Sequence, residues 1–161
     1  MPYIETERLK LVTFSKAMME EILENNLEKL PFQPAHQWPM KVYLDIFPYK
    51  IKRFNEVPDE AAWEGIIIHK IDQFIIGDMG FKGGPNTEGM IDIGYSIVPN
   101  YQGYGYATEM GKALVEWGLS QQEVKKVVAT CNPDNIASIR VLEKIGLHIT
   151  NKTKEKIYWS T

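Results

Sequence analysis

The fold is indicated first by one stretch of the sequence, Gln102-Gly103-Tyr104-Gly105-Tyr106-Ala107. An apolar segment that predicts a strand precedes it, and a segment with apolar residues at helical spacing follows it. A helix start exposes unpaired N–H groups and the positive end of the helix dipole, so it suits an anion such as a pyrophosphate. Gly103 and Gly105 remove side chains that would block close approach to the backbone. Taken alone, the stretch indicates anion binding at a helix start.

Three more specific interpretations of residues 102–107 can be compared with the sequence. A Rossmann dinucleotide-binding turn requires a third glycine where Thr108 stands, and it requires a preceding βα unit that this chain lacks. A P-loop requires a Gly-Lys-Ser/Thr ending, which is absent. A strand-to-helix turn that binds no ligand stays open from the loop alone.

The segments around this stretch predict an alternation of strands and helices. Pro48 lies within the second helical stretch, so we expect a kink or two short helices there. Three strands in succession followed by strand–helix alternation predict a mixed α/β sheet with helices on its faces, in a single domain over 1–161. The predicted elements are strand 8–14, helix from Ser15 to about 30, helical stretch 41–54, hairpin 63–69 and 73–81, strand 90–98, helix from 107, strand 124–129, helix from 135 to Gly146, and a terminal strand pair within 147–160.

The composition restricts the class of protein. The chain has 161 residues and a formal net charge of -3, without a block of Lys or Arg, so neither nucleic acid nor a membrane surface is a predicted partner. The single cysteine, Cys131, excludes an intrachain disulfide, and the three histidines lack metal-ligand spacing. The N-terminus lacks a signal-peptide pattern and no apolar run could span a bilayer. We therefore expect a cytoplasmic protein without a metal.

Two motifs about thirty residues apart resemble the GNAT N-acetyltransferase superfamily. The first is its Q/R-x-x-G-x-G/A motif, present as Gln102-x-x-Gly105-x-Ala107 within the longer string 93–109. The second is Asn132-x-x-Asn135-x-x-Ser138-x-x-Val141-Leu142-Glu143-Lys144-Ile145-Gly146-Leu147. The opening Glu5-Thr6-Glu7-Arg8-Leu9-x-Leu11 is similar to the first strand of the RimJ/RimL-like branch, which acetylates ribosomal-protein N-termini. The resemblance covers nearly the whole chain in the right order.

The resemblance implies a GNAT-like fold and acetyl-CoA as the acetyl donor. The fold would be a mostly antiparallel twisted sheet of six to seven strands with about four helices. The backbones of Ile97 and Val98 would contact the pantetheine arm at a splayed strand edge, and Asn135 and Ser138 would contact it from the following helix. The pyrophosphate would bind the loop and helix start, formed by Gln102, Gly103, Tyr104, Gly105, Tyr106, Ala107 and Thr108.

Candidate groups for proton transfer follow from the strand and from the family pattern. Asp92 is the predicted general base, because apolar strand residues flank it and raise the pKa expected for its carboxyl group. Glu88, on the preceding loop, is a weaker alternative. The family's frequent acid is a tyrosine where this sequence has Leu142, so Ser138 is the nearest candidate to interact with the leaving sulfur.

The predicted function is acetyl transfer from acetyl-CoA to a primary amine by direct attack in a ternary complex. The acceptor would be a peptide or protein N-terminus or a small-molecule amine, bound near the aromatic-rich segment 30–54. The alternative is a catalytically weak module that senses acyl-CoA. The resemblance to the RimJ/RimL-like branch also implies a possible homodimer.

Overall fold

A computed structural model describes residues 3–161. No helix in this range is both long and apolar enough to cross a membrane. The strands are β1 Ile4–Glu5, β2 Leu9–Thr13, β3 Gln33–Pro34, β4 Glu64–His69, β5 Phe74–Phe81, β6 Met90–Ile97, β7 Lys126–Cys131, β8 His148–Lys152 and β9 Ile157–Ser160. The α-helices are α1 Lys16–Leu23, α2 Lys41–Leu44, α3 Phe47–Glu56, α4 Tyr106–Ser120 and α5 Ile136–Lys144, and short 3-10 helices cover Leu27–Lys29, Pro58–Trp63 and Pro99–Tyr101.

The strands form one nine-stranded sheet in the order β1-β2-β4-β5-β6-β7-β9-β8, with β3 added beside β5. Two pairings, β6 with β7 and β3 with β5, are parallel, and the others are antiparallel. The predicted fold class is therefore confirmed. The two-residue strands β1 and β3 were not predicted, because two residues carry no readable alternation of apolar and polar side chains.

The residues predicted to begin, interrupt or end helices do so in the structure. Ser15 caps α1, since its side chain accepts a hydrogen bond from the backbone N of Met18 at 3.2 Å. Pro48 lies in the first turn of α3, where its missing N–H costs no helical hydrogen bond, so the predicted stretch divides into α2 and α3. Gly146 follows α5 with a positive φ of 99°, as expected after a helix C-terminus.

β6 and β7 separate after a short parallel ladder. They pair only from Met90↔Lys126 to Asp92↔Val128, although both strands continue beyond these residues. We call the space between residues 93–97 and 129–131 the strand gap. The N of Val98 donates to Ile76 O at 2.9 Å, and Asp92 O accepts from the N of Lys82 at 2.9 Å. Because peptide groups alternate in direction along a strand, those of the odd-numbered β6 residues point into the strand gap.

The two faces of β6 have different neighbours. Ile91 and Ile93 are buried, and α4 packs on this face so closely that a Cβ at Gly118 would lie 2.8 Å from Ile91 Cδ1. Asp92, Gly94 and Ser96 alternate with them, so they lie on the opposite face. That face of β5 and β6 carries α1–α3, so helices cover both faces of the sheet here, and the face toward α1–α3 includes the polar residues Asp92 and Ser96.

Close packing between β5 and β6 gives a test of the sheet. A Cβ at Gly77 would lie 2.1 Å from the backbone O of Ser96, so we expect Gly77→Ala to lower the free energy of unfolding by about 3 kcal/mol. At Gly94 the nearest atom is Cε of the flexible Lys82 side chain at 3.0 Å, so Gly94→Ala is the matched control and costs about 0.5 kcal/mol. Urea denaturation measures both changes, and equal losses would contradict this packing.

Candidate functional site

The loop before α4 presents a row of free backbone donors. Gly103 and Gly105 have φ values of 82° and 81°, which glycine adopts without the strain that a side chain would add. The first helical hydrogen bond runs from the N of Glu109 to Gly105 O at 2.9 Å. The N–H groups of residues 103–108 donate to no acceptor within residues 3–161. Together with the dipole of a fifteen-residue helix, they form a site for an anion.

The two tyrosines of the loop differ in their exposure to solvent. Tyr104 is 61% exposed, whereas Tyr106 is buried and its hydroxyl lies 3.0 Å from His69 Nε2. The Tyr104 and Tyr106 rings stack with their centroids 5.7 Å apart. Tyr106 can therefore offer a ligand only its backbone N–H, while the ring of Tyr104 is accessible.

Arg8 brings a positive charge to this loop, which the sequence analysis did not predict. Its guanidinium lies 4.5 Å from the centre of the Tyr106 ring, and its Nη2 would be 3.6 Å from a Cβ at Gly105. The Glu109 carboxylate holds Arg8 by accepting from its Nε at 2.6 Å and its backbone N at 2.8 Å. The opening Glu5-Thr6-Glu7-Arg8 resembles the family's first strand, but its residues alone do not indicate a partner a hundred residues away.

The Glu109 carboxylate is stabilised in its charged form. Burial acts to raise its pKa, but hydrogen bonds from Thr6 Oγ1 at 2.6 Å and from Arg8, with the Arg8 charge, lower the pKa below its ordinary value. Glu109 is thus ionised at neutral pH and fixes Arg8 beside the loop.

The two β6 residues predicted to contact the pantetheine arm, Ile97 and Val98, differ in how their backbone groups are used. Ile97 O faces the strand gap, where it accepts from Gln102 Nε2 at 2.8 Å. Val98 uses both backbone groups within the protein, because its N donates to Ile76 O and its O accepts from the N of Tyr101 at 3.0 Å. Of the two predicted residues, Ile97 is the one whose peptide group borders the strand gap, together with Tyr95.

α5 begins on the other side of the strand gap. Asn135 is its N-cap, and its Oδ1 accepts from the N of Ser138 at 3.1 Å. Ser138 lies next to β6, since its backbone O accepts from Tyr95 Oη at 3.4 Å. Burial raises the pKa of Tyr95 to about 12, and hydrogen bonding with the Ser138 side chain acts to lower it. At the end of β7, Cys131 Sγ accepts from Trp159 Nε1 at 3.3 Å.

The two candidates for the general base, Asp92 and Glu88, lie toward the closed end of the strand gap, where β6 and β7 are still paired. Asp92 Oδ2 is 3.1 Å from Lys82 Nζ, while Oδ1 is buried without a hydrogen-bond partner in the described part of the chain. Glu88 is exposed on the turn before β6, where its backbone N donates to Asn86 Oδ1 at 3.0 Å. The role of Asp92 or Glu88 as a base stays a prediction.

A cavity of about 890 Å³, which we call the helix–sheet cavity, lies between α1–α3 and the polar face of β5 and β6. Its charged groups are mostly paired. Arg53 Nη2 lies 2.6 Å from Glu60 Oε1, and Lys50 forms an ion pair with Glu64. Asp78, which the sequence analysis missed, also lines it. The other lining residues include Phe14, Met19, Tyr43, Ile46, Phe47, Tyr49, Phe54, Met79, Gly80, Lys82 and Gly94.

Metal ligands are not grouped in the region that the structure describes, where no set of three or more His, Cys, Asp or Glu side chains could hold an ion. The site brings together backbone donors, the Arg8 guanidinium and carboxylates at a cavity beside the strand gap.

Comparisons with known proteins agree on one family. The chain matches the family described as Acetyltransferase (GNAT) domain over residues 8–148. It is 29% identical to the uncharacterized N-acetyltransferase YjdG of Bacillus subtilis (strain 168), over 99% of this chain and 97% of that protein. Its fold matches the ribosomal-protein-S5-alanine acetyltransferase of Vibrio fischeri with a TM-score of 0.71 at 17% identity, over 100% of this chain and 96% of that one. It also matches RimL, a ribosomal L7/L12 α-N-protein acetyltransferase in complex with coenzyme A, with a TM-score of 0.70 at 16% identity, over 99% and 97% of the two chains.

The Arg8–Glu109 contact gives a prediction with a pH dependence. A carboxylate whose pKa is lowered by folding contributes stability above its unfolded pKa, and the contribution is lost as the pH falls through the folded pKa. We expect Glu109→Gln to lower the free energy of unfolding by about 2 kcal/mol at neutral pH, with a smaller difference in acid. The exposed Glu116 of α4 supplies the control Glu116→Gln. Urea denaturation over a pH series checks this, and a difference that does not change with pH would contradict it.

Proposed function

The chain belongs to the GNAT acetyltransferase family, and from this premise we propose that it holds acetyl-CoA across the loop and strand gap and passes the acetyl group directly to a primary amine. It is an N-acetyltransferase, and acetyl transfer from acetyl-CoA to an amine is the reaction general to the family. The resemblance found in the two sequence motifs is thereby confirmed. The proposal concerns which residues bind acetyl-CoA and which take part in the acetyl transfer.

The free N–H groups of residues 103–108 carry the proposal for the donor. Two phosphate groups need several hydrogen-bond donors and positive charge, and the loop supplies the donors beside the Arg8 guanidinium. Gln102, through its hydrogen bond to Ile97 O, keeps the loop against the end of β6. The pyrophosphate of acetyl-CoA binds there, with Gly103, Tyr104, Gly105, Tyr106, Ala107 and Thr108 offering their amides.

The strand gap receives the pantetheine arm. Its amides can pair with the outward peptide groups of Tyr95 and Ile97 as an added strand would, which is possible because β7 has left β6 at this point. Asn135 keeps its Nδ2 for a pantetheine carbonyl while its Oδ1 caps α5. Val98 supports the strand end through its own backbone bonds rather than through the cofactor.

The acetyl group moves in one displacement. The amine nitrogen attacks the thioester carbon, the C–N bond forms as the C–S bond breaks, and the thiolate leaves with a proton. Holding both substrates at the strand gap supplies much of the rate through proximity. The hydroxyl of Ser138, in the first turn of α5 beside the strand gap, is the candidate to hydrogen-bond the leaving sulfur.

A free amine terminus is the acceptor class that the fold likeness favours. The Vibrio fischeri protein is a ribosomal-protein-S5-alanine acetyltransferase by name, and the helix–sheet cavity is large enough for the first residues of a peptide. A small-molecule primary amine fits the same cavity. The homodimer and the cytoplasmic location stay predictions.

Binding of acetyl-CoA is tested by adding a negative charge to the loop. Gly103 and Gly146 both have positive φ and open space around a Cβ, so Gly146→Asp is a matched control for Gly103→Asp. We expect Gly103→Asp to raise the Kd for acetyl-CoA at least tenfold, about 1.4 kcal/mol, because its carboxylate repels phosphate. Calorimetry with acetyl-CoA measures this, and equal Kd values for the two variants would contradict the site. NAD and NADP should give no thermal shift.

Direct transfer is tested by thiol release and initial-rate kinetics. Suitable acceptors are peptides with N-terminal alanine or serine, spermidine and an aromatic monoamine. We expect release of CoA with at least one, intersecting double-reciprocal lines, and full activity in Cys131→Ser because Cys131 has no base beside it. Parallel lines with loss of activity in Cys131→Ser would instead indicate an acetyl-enzyme. Acetyl-CoA binding without thiol release from any amine would favour the sensor alternative.

A further inference from the structure

Asp78 is a carboxylate on the polar face of the sheet that the proposed reaction has not yet used. It lies on β5 directly opposite Ser96 of β6, and Ser96 Oγ donates to its Oδ2 at 3.0 Å. It lines the helix–sheet cavity, between the helices and the strand gap. Its side chain is therefore fixed by the sheet and open toward the cavity.

The charge of Asp78 has no ion-pair partner of its own among residues 3–161. Burial raises the pKa of Asp78 to about 7; Ser96, the Trp38 indole and Lys50 act to lower it, and Glu64 acts to raise it. The nearby ammonium of Lys50, on α3, is already paired with Glu64 of β4. The buried indole Nε1 of Trp38, near Asp78 but outside hydrogen-bond geometry, has no partner in residues 3–161. A buried carboxylate in this setting gains most from a cation that enters the cavity.

Polar groups connect Asp78 to the strand gap. Tyr43, from α2, donates its hydroxyl to Tyr95 O at 3.3 Å, and this carbonyl belongs to a peptide group that faces the gap. Burial and the Asp78 charge raise the pKa of Tyr43, while hydrogen bonding to Ser96 acts to lower it. Asp78, Ser96 and Tyr43 thus lie in sequence from the cavity to the place where the thioester would lie.

We propose that Asp78 binds the ammonium group of the acceptor in the helix–sheet cavity and takes its proton. The inference rests on the proposed function. The ammonium gives one proton to the Asp78 carboxylate, and the freed nitrogen attacks the thioester carbon as the C–S bond breaks. The second nitrogen proton goes to the leaving thiolate, which departs as the CoA thiol. Asp78 then returns its proton to solvent through the cavity. Ser96 and Tyr43 act as positioning residues.

The chemical class of the acceptor follows from the cavity. Its two other acids, Glu60 and Glu64, are neutralised by Arg53 and Lys50, so Asp78 is the acid left to meet an ammonium. Aromatic and aliphatic side chains make up much of the remaining lining, beside Lys82 and Asn86, so the amine carries an apolar substituent. The acceptor is a primary amine on an apolar side chain or peptide, cationic at neutral pH.

Asp92, predicted from the sequence, differs from Asp78 in these respects. Its Oδ2 is paired with Lys82, and it is not among the residues that line the helix–sheet cavity. Asp92 therefore already has a cationic partner, whereas Asp78 has no ion-pair partner among residues 3–161. The two residues are therefore separable by experiment.

The first experiment compares Asp78→Asn with Asp45→Asn, a control on the exposed end of α2 with the same change of charge. With an alanine-initiated peptide as acceptor, we expect Asp78→Asn to lower kcat/KM about 10²–10⁴-fold at neutral pH and to remove the rise of activity with pH. The Kd for acetyl-CoA should stay unchanged. If Asp78→Asn keeps that rise and Asp92→Asn loses it, the proposal is overturned in favour of Asp92.

The second experiment needs no acceptor and reads stability. A carboxyl group whose pKa rises on folding makes the fold less stable as the pH rises from the ordinary aspartate value through about 7. We therefore expect Asp78→Asn to have a higher Tm than the wild type in mild alkali, with the difference disappearing in acid. Parallel Tm curves across the pH range would overturn the inference. Failure of the proposed function would look different, because the wild type itself would release no CoA from any amine.

Discussion

The separation of β6 from β7 after the Asp92↔Val128 pair is the constraint on which the rest of the site depends. Unpaired peptide groups inside a sheet are costly unless another group pairs with them. The strand gap exposes the N–H groups of Tyr95 and Ile97, whose carbonyls accept from Tyr43 Oη and Gln102 Nε2. A ligand with its own amides can complete the sheet there, and the acetyl donor of the family is such a ligand.

The loop at the open end of the strand gap depends on contacts across the chain. Gly103 and Gly105 let the backbone turn so that successive N–H groups face outward. The Glu109–Arg8 contact then adds positive charge, since a residue from before β2 is fixed to the first turn of α4. The proposed anion site therefore combines a local turn with a long-range ion pair.

The polar face of the sheet shows a conflict between stability and activity. Asp78 is kept in a buried setting without a dedicated cation, which weakens the fold at neutral pH. Asp92, by contrast, is already paired with Lys82. Lys50 and Arg53 neutralise Glu64 and Glu60 through ion pairs. Asp78 is therefore the acid of the cavity lining whose charge is left unpaired.

The sequence by itself determined the fold class, the break between α2 and α3, the caps at Ser15 and Gly146, and the glycine loop before α4. These are local features, because caps, proline and glycine act on residues within one turn of themselves. Only the tertiary structure decided which β6 peptide groups face the strand gap, that Arg8 meets Glu109, and that Asp78 lies opposite Ser96. Strand register and burial set these contacts, and both depend on residues far apart in the chain, which periodicity cannot show.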